Sequence, residues 1–274
     1  MKNRSFFGGK MVIYALATTV IFIIFPALLI LLVKQLSYLA NEKLVNTFGF
    51  NSQIYVGGLG VIIHELSHLL LALLFLHHID SVCLLRIPNH NDISDKSLGY
   101  VRHSWSSRSI YQTIGNVFIG TAPVICGVLI IFLILSKLNP TFASLHSSIA
   151  QQIISNKGIV NVDTYRLFLS SLGQFFQVRL TSVPAIIFEL IIITSICFGG
   201  FDLSHVDLQA SKYAFISLVV LTFGVSLLIP VLSMQASLMP LLVNVAVWIY
   251  LLFFSSIFIL LVLNLLMLIL KMIF

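Results

Sequence analysis

Residues 56–75 read VGGLGVIIHELSHLLLALLF, and this stretch decides how the rest of the chain is interpreted. It is long enough for a membrane-spanning helix, which needs ~20 apolar residues. Nevertheless, His64, Glu65 and His68 lie near its middle. Polar side chains at that depth are costly unless they are paired, coordinate an ion or face an aqueous cavity. The stretch therefore predicts a membrane helix that carries a functional site.

The two histidines of this stretch are spaced as metal ligands. They are four residues apart, so on an α-helix they lie on the same face, where two imidazoles can bind one tetrahedral ion. HExxH is a zinc-binding pattern, in which the glutamate can act as general base toward water. The sequence thus predicts His64 and His68 as zinc ligands and Glu65 as the catalytic carboxylate.

A catalytic zinc ion needs a third protein ligand, and the acidic residues are few enough to enumerate. Apart from Glu65, five of the nine lie in polar loops: Glu42, Asp80, Asp92, Asp95 and Asp163. Asp202 and Asp207 lie in GGFDLSHVDLQ, residues 199–209, a break between two apolar runs. Asp207 is favoured because it would begin a rigid helix, and Asp202, which follows a flexible glycine pair, is the alternative.

Further ligand candidates and two substrate contacts remain open. Glu189 lies inside an apolar run, and His205 shares the break with the two aspartates. Gly60 precedes His64 by one turn and would leave the approach to the ligands bare for substrate, or would pack against another helix. Asn116 could donate a hydrogen bond to a substrate carbonyl or an oxyanion, or could bond another helix.

The composition of the whole chain predicts an all-α polytopic membrane protein. Its 274 residues are 59% hydrophobic and 9% charged, with a mean hydropathy of +1.07, too apolar for a protein with a solvated surface. Six apolar runs fall near residues 11–33, 54–76, 110–136, 183–198, 213–233 and 239–270. We expect these runs to be six transmembrane helices of one membrane domain, residues 1–274.

Two polar stretches interrupt the apolar pattern. Residues 77–109 contain two β-like runs, 79–87 and 98–105, around the turn-rich PNHNDISDKS, and predict a β-hairpin. Residues 137–182 predict amphipathic helices at the membrane interface. Their apolar positions at helical spacing are Leu145, Ile149 and Ile153, followed by Leu167, Phe168, Leu172, Phe175 and Phe176.

Charge and cysteine content narrow the partners and the location. Six spans put both termini on one side, which with the hairpin carries nine of the 15 Lys and Arg residues, so we expect cytoplasmic termini and a cytoplasmic hairpin. No basic cluster alternates with aromatic residues, which argues against a nucleic-acid partner. Cys83, Cys126 and Cys197 form no CxxC pair, so neither a disulfide framework nor a thiolate zinc site is predicted.

The HExxH in the second apolar run, the hairpin after it and the aspartate near a later helix break resemble the site-2 protease family of intramembrane zinc metalloproteases. The resemblance covers roughly residues 50–215. It implies zinc at His64 and His68, water activation by Glu65, an aspartate ligand, and a hairpin edge that receives an unwound substrate strand. The family usually has an LDG-like motif, whereas this chain reads FDLS and VDLQ.

The segments GYVRHSW, GNVFIGTAP and DLSHVDLQ further resemble a divergent bacterial branch of membrane metallopeptidases that lacks a PDZ domain. The sequence therefore predicts an intramembrane zinc metalloprotease that cleaves a hydrophobic or membrane-inserted peptide. One alternative is a non-catalytic membrane component, a peptide exporter or immunity-type binding protein, with a structural metal site. A metal-ion transporter would need a relay of ionisable residues through its spans, where the chain offers little besides Glu189.

Overall fold

The computed structural model describes residues 2–87, 97–156, 160, 162–164, 166 and 183–273. Across these residues the chain is mostly helical, with one two-stranded antiparallel sheet. Six helices in this part of the chain are long and apolar enough to cross a membrane. The predicted helical architecture and the small hairpin are therefore confirmed.

The described elements follow one another in chain order as eight α-helices, two π-helical turns and two strands. The helices are α1 (Lys2–Thr19), α2 (Phe25–Phe48), α3 (Ser52–Leu74), α4 (Ile110–Leu138), α5 (Pro140–Ser155), α6 (Val183–Ser195), α7 (His205–Val231) and α8 (Gln235–Ile273). The π-helical turns are Val20–Ile24 and Ile196–Gly200, and the strands are β1 (His78–Cys83) and β2 (Tyr100–Ser104). The first π-helical turn joins α1 to α2, and the second extends α6 to Gly200.

The first helical span is longer than the apolar run predicts. The run near 11–33 stops at Lys34, but α2 continues to Phe48. Beyond Lys34, Ala40 and Leu44 remain on the buried face of α2 and pack in one cluster with Phe198 and Met267. Tertiary packing therefore extends α2 beyond Lys34, where the apolar run stops.

The two strands pair from His78 opposite Ser104 to Cys83 opposite Tyr100, with a bulge between Ile79 and Ser81. Beyond Cys83, the Arg86 amide donates to the Leu98 carbonyl at 2.7 Å, which prolongs the pairing. The turn-rich segment 88–96 lies outside the described residues.

Helix α5 has the amphipathic character predicted for the polar stretch after α4. Its Leu145 and Ile149 are buried in a cluster with Val247 and Leu251 of α8, so its apolar face packs against the last helix. The other predicted apolar positions of this stretch, residues 167–176, lie outside the described residues.

Glycines bring α3 into close contact with the end of α6. A β-carbon on Gly57 would lie 3.2 Å from Cα of Gly199. One on Gly60 would overlap the Ser195 carbonyl and lie 2.8 Å from the amide nitrogen of Gly200, and the Gly60 amide itself donates to Ser195 Oγ at 2.9 Å. The space in front of Gly60 is filled by this backbone. Of the two alternatives for Gly60, the structure favours helix packing, and it contradicts an open approach for substrate at this position.

Gly60→Ala should consequently destabilise the fold by ~1–3 kcal/mol, the usual cost of overpacking a well-packed interior. Thermal unfolding in detergent measures the change. Gly224→Ala is the matched control, because a β-carbon there meets no atom within 4 Å and reports only the gain in helix propensity, up to ~1 kcal/mol. Equal unfolding temperatures for both variants would contradict the close contact.

Candidate metal centre

Helix α3 buries the three polar residues of its motif together. His64, Glu65 and His68 are each exposed by 7% or less. The spacing of four residues stacks the two histidines on one helix face, with 3.1 Å between their Nε2 atoms. The ligand pair predicted from the sequence is therefore present as a geometric pair.

Backbone carbonyls fix the tautomer of both imidazoles. His64 Nδ1 lies 3.1 Å from the Gly200 carbonyl oxygen and His68 Nδ1 lies 2.8 Å from that of Ile119. Because a carbonyl only accepts, both Nδ1 atoms carry the hydrogen, and in a neutral imidazole Nε2 then has a free lone pair. The two Nε2 lone pairs face each other without a proton between them, and a cation between them removes this repulsion.

Asp207 completes a group of three side chains that could hold a metal ion. Its Oδ1 lies 3.5 Å from His68 Nε2, and the ligand atoms of His64, His68 and Asp207 all lie within 4.8 Å of one another. Two nitrogen ligands on a tetrahedral zinc ion at ~2.0–2.1 Å are ~3.4 Å apart, close to the 3.1 Å from His68 Nε2 to His64 Nε2 and the 3.5 Å from His68 Nε2 to Asp207 Oδ1. The donor set of two imidazoles and one carboxylate fits zinc.

The first turn of α7 positions Asp207. Ser204 and Asp207 form a capping box, in which the Asp207 amide donates to Ser204 Oγ at 3.2 Å and the Ser204 amide donates to Asp207 Oδ2 at 2.7 Å. The Ser204 hydroxyl also donates to Oδ2, at 2.6 Å. One carboxylate oxygen therefore caps the helix, and the other faces His68.

Asp202, the alternative ligand, lines the same cavity but does not belong to the group of three. Desolvation raises the pKa of Asp202 above its ordinary value, Asp207 raises it further, and Lys34 opposes the shift. The geometry favours Asp207.

Two other candidates, Glu189 and Asn116, lie outside this group. Glu189 Oε1 accepts a hydrogen bond from Lys137 Nζ at 2.6 Å. Asn116 is buried and its Oδ1 has no hydrogen-bond partner among the described residues, but it does not line the cavity. Its carbonyl accepts from Ser211 Oγ at 2.9 Å, a contact between α4 and α7. Nothing in the structure describes the side chain of His205.

The hairpin forms one wall of a cavity of about 500 Å³ that contains the three candidate ligands and Glu65. A β-carbon on Gly99 would lie 2.7 Å from Glu65 Cγ and 3.0 Å from the Cys83 carbonyl oxygen. The backbone before β2 therefore passes directly over the carboxylate. Sequence reasoning overlooked Gly99, although a glycine within a β-like run is a signal of close backbone approach.

A histidine pair holds the base of the hairpin. His77 Nε2 lies 2.9 Å from the Gln112 carbonyl oxygen and therefore donates to it, so His103 Nδ1 donates to His77 Nδ1 at 2.9 Å. Burial lowers the pKa of His103, and His77 lowers it further. The pair thus links β2 to the start of α4, beside the cavity.

Comparison with protein-family models, with curated proteins and with solved structures finds no match to this chain. The functional interpretation therefore depends on the chain's own residues and geometry.

Proposed function

We propose that this chain is an integral membrane zinc endopeptidase of the site-2 protease type, which hydrolyses a peptide bond in a hydrophobic or membrane-inserted peptide. The observation that supports it best is the convergence of His64, His68 and Asp207 beside Glu65 in one cavity. The cavity is bounded by helices that are apolar enough to cross a membrane. Two imidazoles and one carboxylate leave a coordination position open, as in catalytic zinc sites.

The residues of the site have distinct tasks in this reaction. Zinc bound there would supply Lewis-acid polarisation of the scissile carbonyl and a water molecule of lowered pKa. Glu65 accepts the proton of the attacking water and delivers it to the leaving nitrogen. The carbonyls of Gly200 and Ile119 hold the two imidazoles in the tautomer that binds metal.

The hairpin suits an extended substrate. Strand β2 pairs with β1 along one edge, and no described strand occupies its other edge, while Tyr100, Val101 and Arg102 of β2 line the cavity. A peptide strand that adds to a free edge exposes its carbonyls to the site, which a helical peptide cannot do. A membrane-inserted substrate would therefore unwind before cleavage.

Zinc content and proteolysis of the purified protein test this proposal together. We expect the wild type in detergent to contain roughly one zinc ion per chain and to cleave casein, with cleavage lost on chelation and restored by zinc. His64→Ala should lose both properties. Wild-type protein that binds no zinc when supplied with it would refute the proposal.

The metal-transporter alternative finds little support in the geometry. Glu189, the ionisable residue on which a relay would depend, forms an ion pair with Lys137. No second group of three metal-ligating side chains occurs among the described residues. A transport path needs several such groups in series across the membrane.

Gly99→Ala should lower casein cleavage by ~10- to 100-fold without loss of zinc, because the added methyl group displaces Glu65 or lifts the hairpin from it, and small misplacements of catalytic groups cost such factors. Cleavage rate and zinc content are measured on the same preparation. Gly224→Ala, in open space, should retain full activity. Unchanged cleavage by Gly99→Ala would mean that the hairpin lies farther from the carboxylate.

The proposed location is a bacterial cell membrane, based on the resemblance to a bacterial branch of membrane metallopeptidases, and the lysine and arginine bias favours cytoplasmic termini. The hairpin side and α5 should then lie on opposite sides. Ser107→Cys, after β2, and Ser147→Cys, on α5, are both at exposed positions. In intact cells of a cysteine-free background, an impermeant maleimide should label position 147 and spare position 107; the reverse pattern would invert the orientation.

A further inference from the structure

The cavity extends well beyond the candidate metal centre. It also reaches Gln53, in the first turn of α3, and Asn41, on α2. Gln53 precedes His64 by eleven residues, which on a helix is ~16 Å at ~1.5 Å per residue. The volume that contains the ligands is therefore the end of a groove that runs along α3.

Two amide side chains line the distant end of this groove, and neither is used by the fold. The Oδ1 atom of Asn41 is buried and has no hydrogen-bond partner among the described residues. The Gln53 side chain is partly exposed and makes no hydrogen bond to the described residues. A buried amide oxygen without a donor is costly, and the main-chain N–H of a bound peptide would supply the missing donor to Asn41.

The end of the hairpin beyond Cys83 and Tyr100 covers two turns of α3. Leu85 Cδ2 would lie 3.7 Å from a β-carbon on Gly58, and Gly99, across the hairpin from this segment, lies against Glu65. An extended chain that leaves the metal centre beneath this end of the hairpin therefore passes toward the first turn of α3. Residues of β2 and the two amides line the same cavity.

We propose that Asn41 and Gln53 form a substrate-binding subsite that hydrogen-bonds the main chain of an extended peptide about five residues from the scissile bond. The spacing follows from ~16 Å of helix divided by ~3.3 Å per residue of extended strand. This inference rests on the proposed peptidase function and adds to it a binding site remote from the metal. The subsite holds substrate and takes no part in proton transfer.

Photo-crosslinking measures that spacing directly. Benzoylphenylalanine is placed at Gln53 in the Glu65→Gln protein, which binds casein without cleaving it, and the casein residue that becomes attached is identified by mass spectrometry. Tyr55 is the control position, since it lies on the same helix with 85% of its surface exposed. We expect crosslinks from position 53 at casein residues four to six positions from bonds that the wild type cleaves. Crosslinks from position 55 should show no such fixed distance from the cleaved bonds.

Asn41→Leu, which keeps the size of the side chain and removes its hydrogen bonds, is the second test. It should raise KM for casein roughly 2- to 10-fold, the contribution of about one hydrogen bond, with kcat and zinc content near wild type. Equal crosslinking from positions 53 and 55, or an unchanged KM, overturns the subsite even if the wild type is a peptidase. Wild-type protein that cleaves nothing refutes the peptidase function instead, and crosslinking at position 53 would still report whether a chain occupies the groove.

Discussion

Glu65→Gln should reduce casein cleavage by roughly 10²- to 10⁴-fold, the usual contribution of a general base, and should leave zinc content and folding unchanged. The amide keeps the shape of the carboxylate but cannot accept the proton of the attacking water. Glu65 does not belong to the group of three ligands, so its substitution leaves the metal-binding atoms in place. Initial cleavage rates and metal analysis of the same preparation measure the two effects.

Ser67→Ala serves as the control for a change within the same helix. Ser67 is buried two residues from Glu65, and its hydroxyl donates to the Ile63 carbonyl of its own helix at 2.6 Å. Its loss should leave both cleavage and zinc content near wild type. If Glu65→Gln cleaves as fast as wild type, Glu65 is not the base and the carboxylate has another role.

Glu65→Gln also separates the peptidase from the non-catalytic alternative. An exporter or immunity-type component with a structural metal needs His64 and His68 but tolerates Glu65→Gln in its cellular function. The position of Glu65 argues for catalysis, because a buried carboxylate beside the ligands, with glycine backbone directly over it, is costly to keep without a task. A structural site would be served as well by an apolar residue there.

Local periodicity made one part of the site predictable. The pairing of His64 with His68 depends only on the rise and rotation of an α-helix, and the motif around them specifies its chemistry. The hairpin was predictable for a similar reason, since β-like runs around a turn-rich segment pair locally. For the predicted aspartate ligand, only Asp202 and Asp207 remained, because the chain contains few acidic residues.

Contacts between distant segments were not predictable. Gly60 meets Ser195 across 135 residues, and spacing along α3 alone could not distinguish a bare substrate face from a packed one. The position of the hairpin over Glu65 depends on the link between His77 and His103 and on the absent side chain of Gly99. The length of α2 likewise depends on its packing against Phe198 and Met267, which no apolar run reveals.

Asp207→Asn should lower zinc affinity by on the order of 10²-fold or more, because it removes one of three protein ligands, and even the loss of an outer-shell partner costs 10- to 100-fold. Asp202→Asn should bind zinc as the wild type does, because Asp202 lies outside the group of three. Competition with a chromophoric chelator in detergent measures both affinities. Normal affinity in both variants would exclude both aspartates and leave His205, in the same break, as the remaining candidate.

The capping role of Asp207 has to be separated from its role as ligand, because a loss of zinc could follow from a frayed helix. In Asp207→Asn the amide oxygen still accepts from the Ser204 amide, so the cap is largely kept while the charged ligand is lost. Ser204→Ala does the opposite: it removes the capping hydroxyl, at a cost of ~1 kcal/mol, and keeps the carboxylate beside His68. We therefore expect Ser204→Ala to be less stable but to retain stoichiometric zinc, and Asp207→Asn to lose zinc at nearly unchanged helix content. The reverse pattern would make Asp207 a helix cap alone, since zinc would then depend on the order of α7 and not on the carboxylate.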